Sequence, residues 1–415
     1  MTENRNASRL AFARPALCYD IVSESSPAFA RRLATMRPST IREILKVTAQ
    51  PDVISFAGGL PAPELFPVAE VRAAADAVLV KEGSQALQYG PSEGYMPLRE
   101  WIATEMAARG IAAQRDDVLV TNGSQQVLDL TGKLFLDPGD VVLTENPTYL
   151  AAIQAFQTFE AKFVGVPTDE HGLIPEALPE LIKQHRPKFL YTIPSFQNPT
   201  GITLIAERRK KLAEIAAREN LWIVEDDPYG KLRYSGVDVA PVKHWDTAGR
   251  VIYVSTFSKT IAPGFRLGWV VAPAEVFNRM LILKQASDLH TSSFDQRVAF
   301  GYLSSGKQPE HLEKIRRAYG ERFGILDAAL REQLPSGYSW TKPEGGMFLW
   351  VTGPAELDAL KLLERAIEQK VAFVPGRDFF PGDGGKNHLR LNFSNSTPER
   401  LREGVRRLAA LCRTF

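Results

Sequence analysis

The sequence predicts an α/β fold: a large domain with a mostly parallel central sheet flanked by helices, then a smaller α+β domain. Two patterns carry that expectation. From about Asp117 to Ala272, short continuous apolar runs alternate with segments of helical period, as expected of strands buried on both faces. After about Ser292 the alternation stops, and a long charged helix precedes a few strands and a last helix. The 415 residues, 44% hydrophobic and 24% charged, suffice for two or three domains with a large core. The expected division is an N-terminal segment at 1–52 packing on the small domain and cleft, a large domain at 53–291 and a small domain at 292–415.

Residues 118–120 form the first strand of the series and lead to a helix from Ser124. Residues 141–143 lead to another helix near Tyr149. Residues 188–193 are a third strand. The helix beyond them puts Ile205, Leu212, Ile215 and Ala216 on one face at a period of about 3.6 residues. Strands at 221–224, 251–254 and 267–271 complete the sheet. In the small domain a charged helix covers about 309–333, and 347–351, 371–374 and 389–393 read as strands. The last helix has Thr397 as N-cap and Pro398 at its first position. Its apolar stripe is Leu401, Val405, Leu408 and Cys412.

Bulk features remove several function classes. A net charge of +2 gives no basis for nucleic-acid binding. Two cysteines, Cys18 and Cys412, build neither a disulfide framework nor a zinc site, and the histidines are scattered, so no metal is expected. No apolar run approaches the roughly 18 residues of a membrane span. The first residues carry Arg5, Arg9 and Arg14 and weakly resemble a transit peptide; Arg14 and Pro15 break the apolar stretch a signal peptide needs. The expectation is a flexible start to a cytoplasmic protein.

The chemistry concentrates beyond the C-terminal ends of the strands, where open α/β sheets bind ligands. Gly123-Ser124-Gln125-Gln126 opens a helix, whose free N–H groups suit a phosphate. Tyr149 in Glu145-Asn146-Pro147-Thr148-Tyr149 offers a ring for stacking, and Asn198 in Gln197-Asn198-Pro199-Thr200-Gly201 offers an amide donor. Asp226 in Glu225-Asp226-Asp227-Pro228-Tyr229 emerges from a buried strand and needs a partner. Arg390 alternates with Leu389 and Leu391, so it shares a face with Asn392 and suits a carboxylate. Taken singly, Ser124 is also a simple N-cap, Tyr149 a core residue, Asn198 a turn former and Arg390 a structural ion-pair partner.

The most informative stretch is Ser255-Thr256-Phe257-Ser258-Lys259-Thr260, followed by Arg266 between glycines. Hydroxyls and an arginine suit a phosphate, while the amine suits a carbonyl. Pyridoxal 5′-phosphate (PLP) has both groups and is held by lysine as a Schiff base. A serine–lysine hydrolase needs serine three residues before the lysine; Thr256 stands there, and no Lys-Thr-Gly motif follows. A solvated lysine beside serines is the other reading of the segment alone.

With Phe56-Ala57-Gly58-Gly59-Leu60-Pro61 and Leu87-Gln88-Tyr89-Gly90, these motifs span residue 40 to the C-terminus. The chain resembles the fold-type I PLP-dependent aminotransferases of the aspartate aminotransferase superfamily, nearest to the 2-aminoadipate and kynurenine aminotransferase branch. The resemblance implies that Lys259 carries the cofactor and shuttles the proton. Asp226 pairs with the pyridine nitrogen, Asn198 and Tyr229 bind O3′, and Tyr149 stacks on the ring. Ser124, Gln125, Thr256, Ser258 and Arg266 hold the phosphate, joined by Tyr89 of a neighbouring subunit in a homodimer with shared sites. Arg390 and Asn198 bind the substrate α-carboxylate, Gly59 lines the pocket, and Arg42 meets the substrate side chain. The implied reaction is ping-pong amino transfer from an L-amino acid (2-aminoadipate, aromatic or branched-chain) to a 2-oxo acid, with 2-oxoglutarate expected. Another PLP reaction, β-elimination or decarboxylation, uses the same cofactor residues. A non-enzymatic PLP-binding transcriptional regulator is the remaining rival, disfavoured by the missing helix-turn-helix pattern.

Overall fold

Strands β1 (Ile54–Ser55), β2 (Val118–Thr121), β3 (Val141–Glu145), β4 (Lys162–Val166), β5 (Thr168–Asp169), β6 (Gly172–Leu173), β7 (Phe189–Thr192), β8 (Trp222–Asp226), β9 (Val251–Thr256) and β10 (Gly268–Val271) come first along the chain. The computed structural model describes residues 29–34, 36, 44, 50 and 52–414. The central sheet has seven strands in the order β2-β10-β9-β8-β7-β3-β4. Pairings from β9 through β4 are parallel, while β10 runs antiparallel to both β9 and β2. The reversal follows from the short turn between β9 and β10, which is too short for a crossover helix.

Alternation along each strand divides the sheet between packing partners. Tyr191, Val224 and Ile252 join one cluster with the small domain. Leu190, Ile223 and Val251 join a second with Leu212, Ile215 and Ala216 of the Ala206–Glu219 helix. Val118, Val120, Tyr253 and Trp269 join a third. Continuous apolar strands therefore serve both faces, as their composition requires. The Ser293–Ser304 helix lies in the third cluster through Val298, Ala299 and Tyr302. The change of pattern at Ser292 thus marks a helix start still packed on the large domain. The chain crosses to the small domain along the Gln308–Gln333 helix.

The small-domain strands are β11 (Ser339–Trp340), β12 (Phe348–Thr352), β13 (Val371–Ala372), β14 (Val374–Pro375) and β15 (His388–Asn392). An antiparallel sheet runs β11-β12-β15-β14. The expected single strand at 371–374 is two: β13 pairs with β1, and β14 pairs with β15. Adjacent residues there serve two different sheets, a division that composition does not encode. The last helix, Pro398–Cys412, begins as expected, with the Thr397 hydroxyl accepting from Arg400 N–H. Leu401, Val405, Leu408 and Cys412 are all buried. Each large apolar side chain there contributes roughly 1.5–3 kcal/mol, more than the roughly 1 kcal/mol of the cap. Of the N-terminal segment, Ile44 is buried in the cluster shared by both domains.

Candidate active site

The C-terminal edge of the parallel strands faces the small domain. β9 ends at Thr256, whose hydroxyl accepts from Ser258 N–H at 3.1 Å and reaches the Leu267 carbonyl at 2.8 Å. That cap turns the Phe257–Lys259 segment so that Lys259 Nζ enters the cleft, where it donates to the Gly59 carbonyl at 2.9 Å. Burial lowers the lysine pKa to about 8, helped by the charges of Arg266 and Arg390.

Arg266 follows a second tight turn and has a left-handed backbone with φ of 50°. It lies against Gly123, the first residue of the Gly123–Phe135 helix, which itself has φ of 71°. A Cβ on Gly123 would sit 2.7 Å from Arg266 Nη2, and one on Gly268 would sit 2.6 Å from Ser124 N. The two glycines let strand, helix start and arginine meet. Ser124 lies in the helix's first turn, and Ser258 Oγ is 2.9 Å from Thr256 Oγ1.

Asp226 is buried at the end of β8. One oxygen, Oδ2, accepts from the Tyr191 hydroxyl at 2.8 Å, and Oδ1 is buried without a partner. Burial pushes its pKa up to about 7 against the pull of that hydrogen bond. Asp227 points to the other face. It pairs with Arg109 at 2.7 Å and accepts from Tyr253 at 2.9 Å, and its pKa lies below the usual range because of Arg109 despite its burial. The two neighbouring carboxylates thus face opposite sides of the sheet.

Tyr149 caps the Leu150–Gln157 helix at the cleft, where burial and then Asp226 raise its phenol. Tyr229 is buried, and burial and then Tyr149 raise its phenol, with Asn198 pulling the other way. Asn198 Oδ1 accepts from Arg390 Nη1 at 2.8 Å, so a large-domain loop touches a small-domain strand. Arg390, 2% exposed, also donates from Nη2 to the Ala57 carbonyl at 2.6 Å. Its guanidinium lies 4.2 Å from the Phe348 ring centroid and 5.0 Å from that of Phe379. Its Nε has no partner, and burial lowers its pKa to about 10. A Cβ on Gly59 would meet Phe348 at 3.1 Å.

Lys259, Asp226, Tyr149, Tyr229, Asn198, Arg390 and Gly59 thus converge on one cleft, with Ser124, Thr256, Ser258 and Arg266 at one end. Gln125 is exposed in the first turn of its helix. Tyr89 is 78% exposed, edge-on to His290 at 5.7 Å between centroids. Arg42 lies outside the described residues. Three contributors escaped the sequence reading: Tyr191 behind Asp226, and the rings of Phe348 and Phe379 around Arg390. Tyr191 pairs with Val224 across β7 and β8, two residues before Asp226; only the strand pairing reveals it.

The residues present fit PLP. Asp226 Oδ1 is a buried acceptor needing a cationic N–H, the Lys259 amine is partly deprotonated near neutrality, and a helix start, two hydroxyls and Arg266 together suit a phosphate. Among the described residues no group of three metal-ligating side chains occurs, and no helix is long and apolar enough to cross a membrane.

Known proteins align with the chain over most of its length. The family model for aminotransferase class I and II matches residues 51–408. Aromatic-amino-acid aminotransferase 1 of Thermococcus litoralis is 48% identical over 92% of this chain and 93% of its own. The 2-aminoadipate transaminase of Thermus thermophilus is 44% identical over 92% and 96%. The structure of the α-aminoadipate aminotransferase from Thermus thermophilus, complexed with N-(5′-phosphopyridoxyl)-L-leucine, superposes with a TM-score of 0.87 at 41% identity, covering 93% of this chain and 97% of that one.

Proposed function

The chain belongs to the class I and II aminotransferases, and from that membership and the cleft's geometry we propose how it works and on what. It is a PLP-dependent aminotransferase of fold type I, moving the amino group of an amino acid to a 2-oxo acid. The carrying observation is that three groups of the cleft, two of them buried without a partner, each match one part of an amino acid bound to PLP. These are the Lys259 amine for the carbonyl, Asp226 Oδ1 for the ring nitrogen and Arg390 Nε for the α-carboxylate.

Bound PLP supplies an electron sink for the carbon that loses its α-proton. Lys259, once free of the cofactor, takes that proton; its lowered pKa leaves enough neutral amine near neutral pH to act as base. Asp226, fixed by Tyr191, keeps the ring nitrogen protonated. Asn198 and Tyr229 steady the phenolic oxygen, and Tyr149 covers the ring. Ser124, Gln125, Thr256, Ser258 and Arg266 anchor the phosphate. Arg390 and Asn198 orient the α-carboxylate, with Gly59, packed against Phe348, lining the pocket.

The donors are 2-aminoadipate and aromatic or branched-chain L-amino acids, with 2-oxoglutarate as acceptor in a ping-pong cycle. Relatives named for aromatic amino acids and for 2-aminoadipate, and a solved leucine adduct, support that breadth. Arg42 meets acidic side chains. The active form is a homodimer in the cytoplasm, where exposed Tyr89 reaches the partner's phosphate site. A donor screen against 2-oxoglutarate tests the reading. Parallel initial-rate lines and a visible absorption band are expected; ammonia or carbon dioxide release without glutamate would assign the cleft to elimination or decarboxylation.

A further inference from the structure

Glu145 takes no part in the chemistry above, yet it is a carboxylate only 3% exposed at the end of β3. Its side-chain hydrogen bonds all run to the last residue of β7 and the segment after it. Oε1 accepts from the Thr192 hydroxyl at 2.9 Å, and Oε2 accepts from Ile193 N–H at 3.0 Å and Gln197 Nε2 at 3.2 Å. The same amide nitrogen donates to the Pro147 carbonyl at 2.8 Å. Gln197 Oε1 accepts from Thr200 N–H at 2.9 Å and from its hydroxyl at 2.7 Å. Both amide protons and the amide oxygen are in use. Flipping the amide would set its oxygen against a carbonyl and a carboxylate, so the orientation is fixed. Burial pushes the Glu145 carboxyl up to about 7, although three hydrogen bonds pull the other way. Such a costly buried group is retained only where its bonds hold something in place.

What they hold is the gap between two loops. Pro147 stands two residues before Tyr149, and Gln197 stands directly before Asn198. Asn198 in turn touches Arg390. We infer that Glu145 and Gln197 form a brace that sets the spacing between Tyr149, over the cofactor ring, and Asn198, beside its phenolic oxygen. Both are positioning residues for amino transfer, an inference that rests on the cofactor reading above. Displacement of a positioned group by about 1 Å costs up to about a hundredfold in rate, so a brace between two such groups acts on turnover without touching the substrate.

The test uses the PLP-loaded protein and three variants, Gln197→Ala, Thr200→Val and Glu145→Gln. The measurements are the pH titration of the visible band, PLP affinity, melting temperature, and kcat and KM. In Gln197→Ala the midpoint of the band should rise by about one pH unit, because Asn198 no longer stabilises the phenolate. Its kcat should fall about tenfold to a hundredfold, with KM changing less. Thr200→Val removes one bond of the brace and should shift the midpoint in the same direction by less; it stands in if Gln197→Ala does not fold. Glu145→Gln keeps an acceptor for Ile193 and Gln197 and presents its amide to Thr192, so it should titrate close to the parent protein. A folded, PLP-loaded Gln197→Ala or Thr200→Val protein with a lower melting temperature but an unmoved midpoint would overturn the brace while leaving the cofactor reading intact. A parent protein without any pH-dependent visible band would overturn that reading, and this inference with it.

Discussion

Two sides of the end of β8 receive nearly the same residues and use them differently. On the cleft side, Asp226 keeps one oxygen unpaired, Arg390 keeps Nε unpaired, and the Lys259 amine has a single carbonyl partner. On the far side, Asp227 is closed off by Arg109, Tyr253 and Gly230 N–H. Glu225 there accepts from Val242 and Lys243 N–H, and Arg209 donates to the carbonyls of Leu204, Pro194 and Ala240. The contrast separates groups held for a ligand from groups held for the fold. A buried polar atom left without a partner costs free energy, so such atoms beside complementary groups suit a ligand, whereas a closed network serves architecture.

The contrast breaks first at Lys259. Lys259→Ala should keep PLP binding and lose at least about a thousandfold in turnover, followed by single-turnover absorbance. Sustained multiple turnover by that variant would remove the lysine from the chemistry. Next come the two aspartates. Asp226→Ala should slow α-deprotonation by orders of magnitude with modest loss of stability. Asp227→Ala should instead destabilise by about 3 kcal/mol, because Arg109 is left buried without its partner, and should affect the deprotonation rate less. Chemical denaturation beside rapid-mixing spectroscopy separates the two; the reverse pattern would mean that the closed network is the catalytic one.

Smaller effects sharpen the comparison. Arg390→Ala should lower kcat/KM about tenfold to a hundredfold for every donor, because each carries the α-carboxylate. Arg42→Ala should cause a loss of about tenfold for glutamate or 2-aminoadipate and spare leucine and phenylalanine. Equal losses for both donor classes would make Arg42 structural. The smallest effect concerns pH. The folded-state pKa of Asp226, about 7, lies above its ordinary value of 3.8, so folding takes up a proton there. The stability it contributes is fully present below its unfolded pKa and is lost as pH rises through about 7. The PLP-free protein should therefore lose melting temperature between about pH 4 and 7. Asp226→Asn should flatten that slope, and an unchanged slope would assign it to Glu145 and Glu225, whose pKa values are also about 7.

Features governed by neighbours in the chain were legible. Thr397 and Pro398 mark their helix start, and the alternation around Arg390 turns it and Asn392 inward. The order Asp226-Asp227 assigns one carboxylate to each face because side chains alternate on a strand. What stayed hidden depends on which strands become neighbours. The Tyr191 bond to Asp226 and the Asn198 bond to Arg390 join residues far apart in sequence, and no period in the chain marks them. The split of 371–374 is similar, since Phe373 looks apolar and strand-like whichever sheet its neighbours join. The direction of β10 was readable only from the length of its connection to β9, because an apolar strand buried on both faces has the same composition in either orientation.

The slot holding Arg390 has a consequence for redesign. Its guanidinium lies within reach of the Phe348 and Phe379 rings and is tied to Ala57 and Asn198, so the proposed grip on the handle common to every amino acid rests on a part with few acceptable substitutes. A lysine there would place a flexible stem between the rings and lose the planar fork. Leu60, 46% exposed beside Gly59, stands on looser ground. An engineer seeking a new donor should leave the grip untouched and mutagenise the rim, because variation there changes the cargo without dismantling the tool.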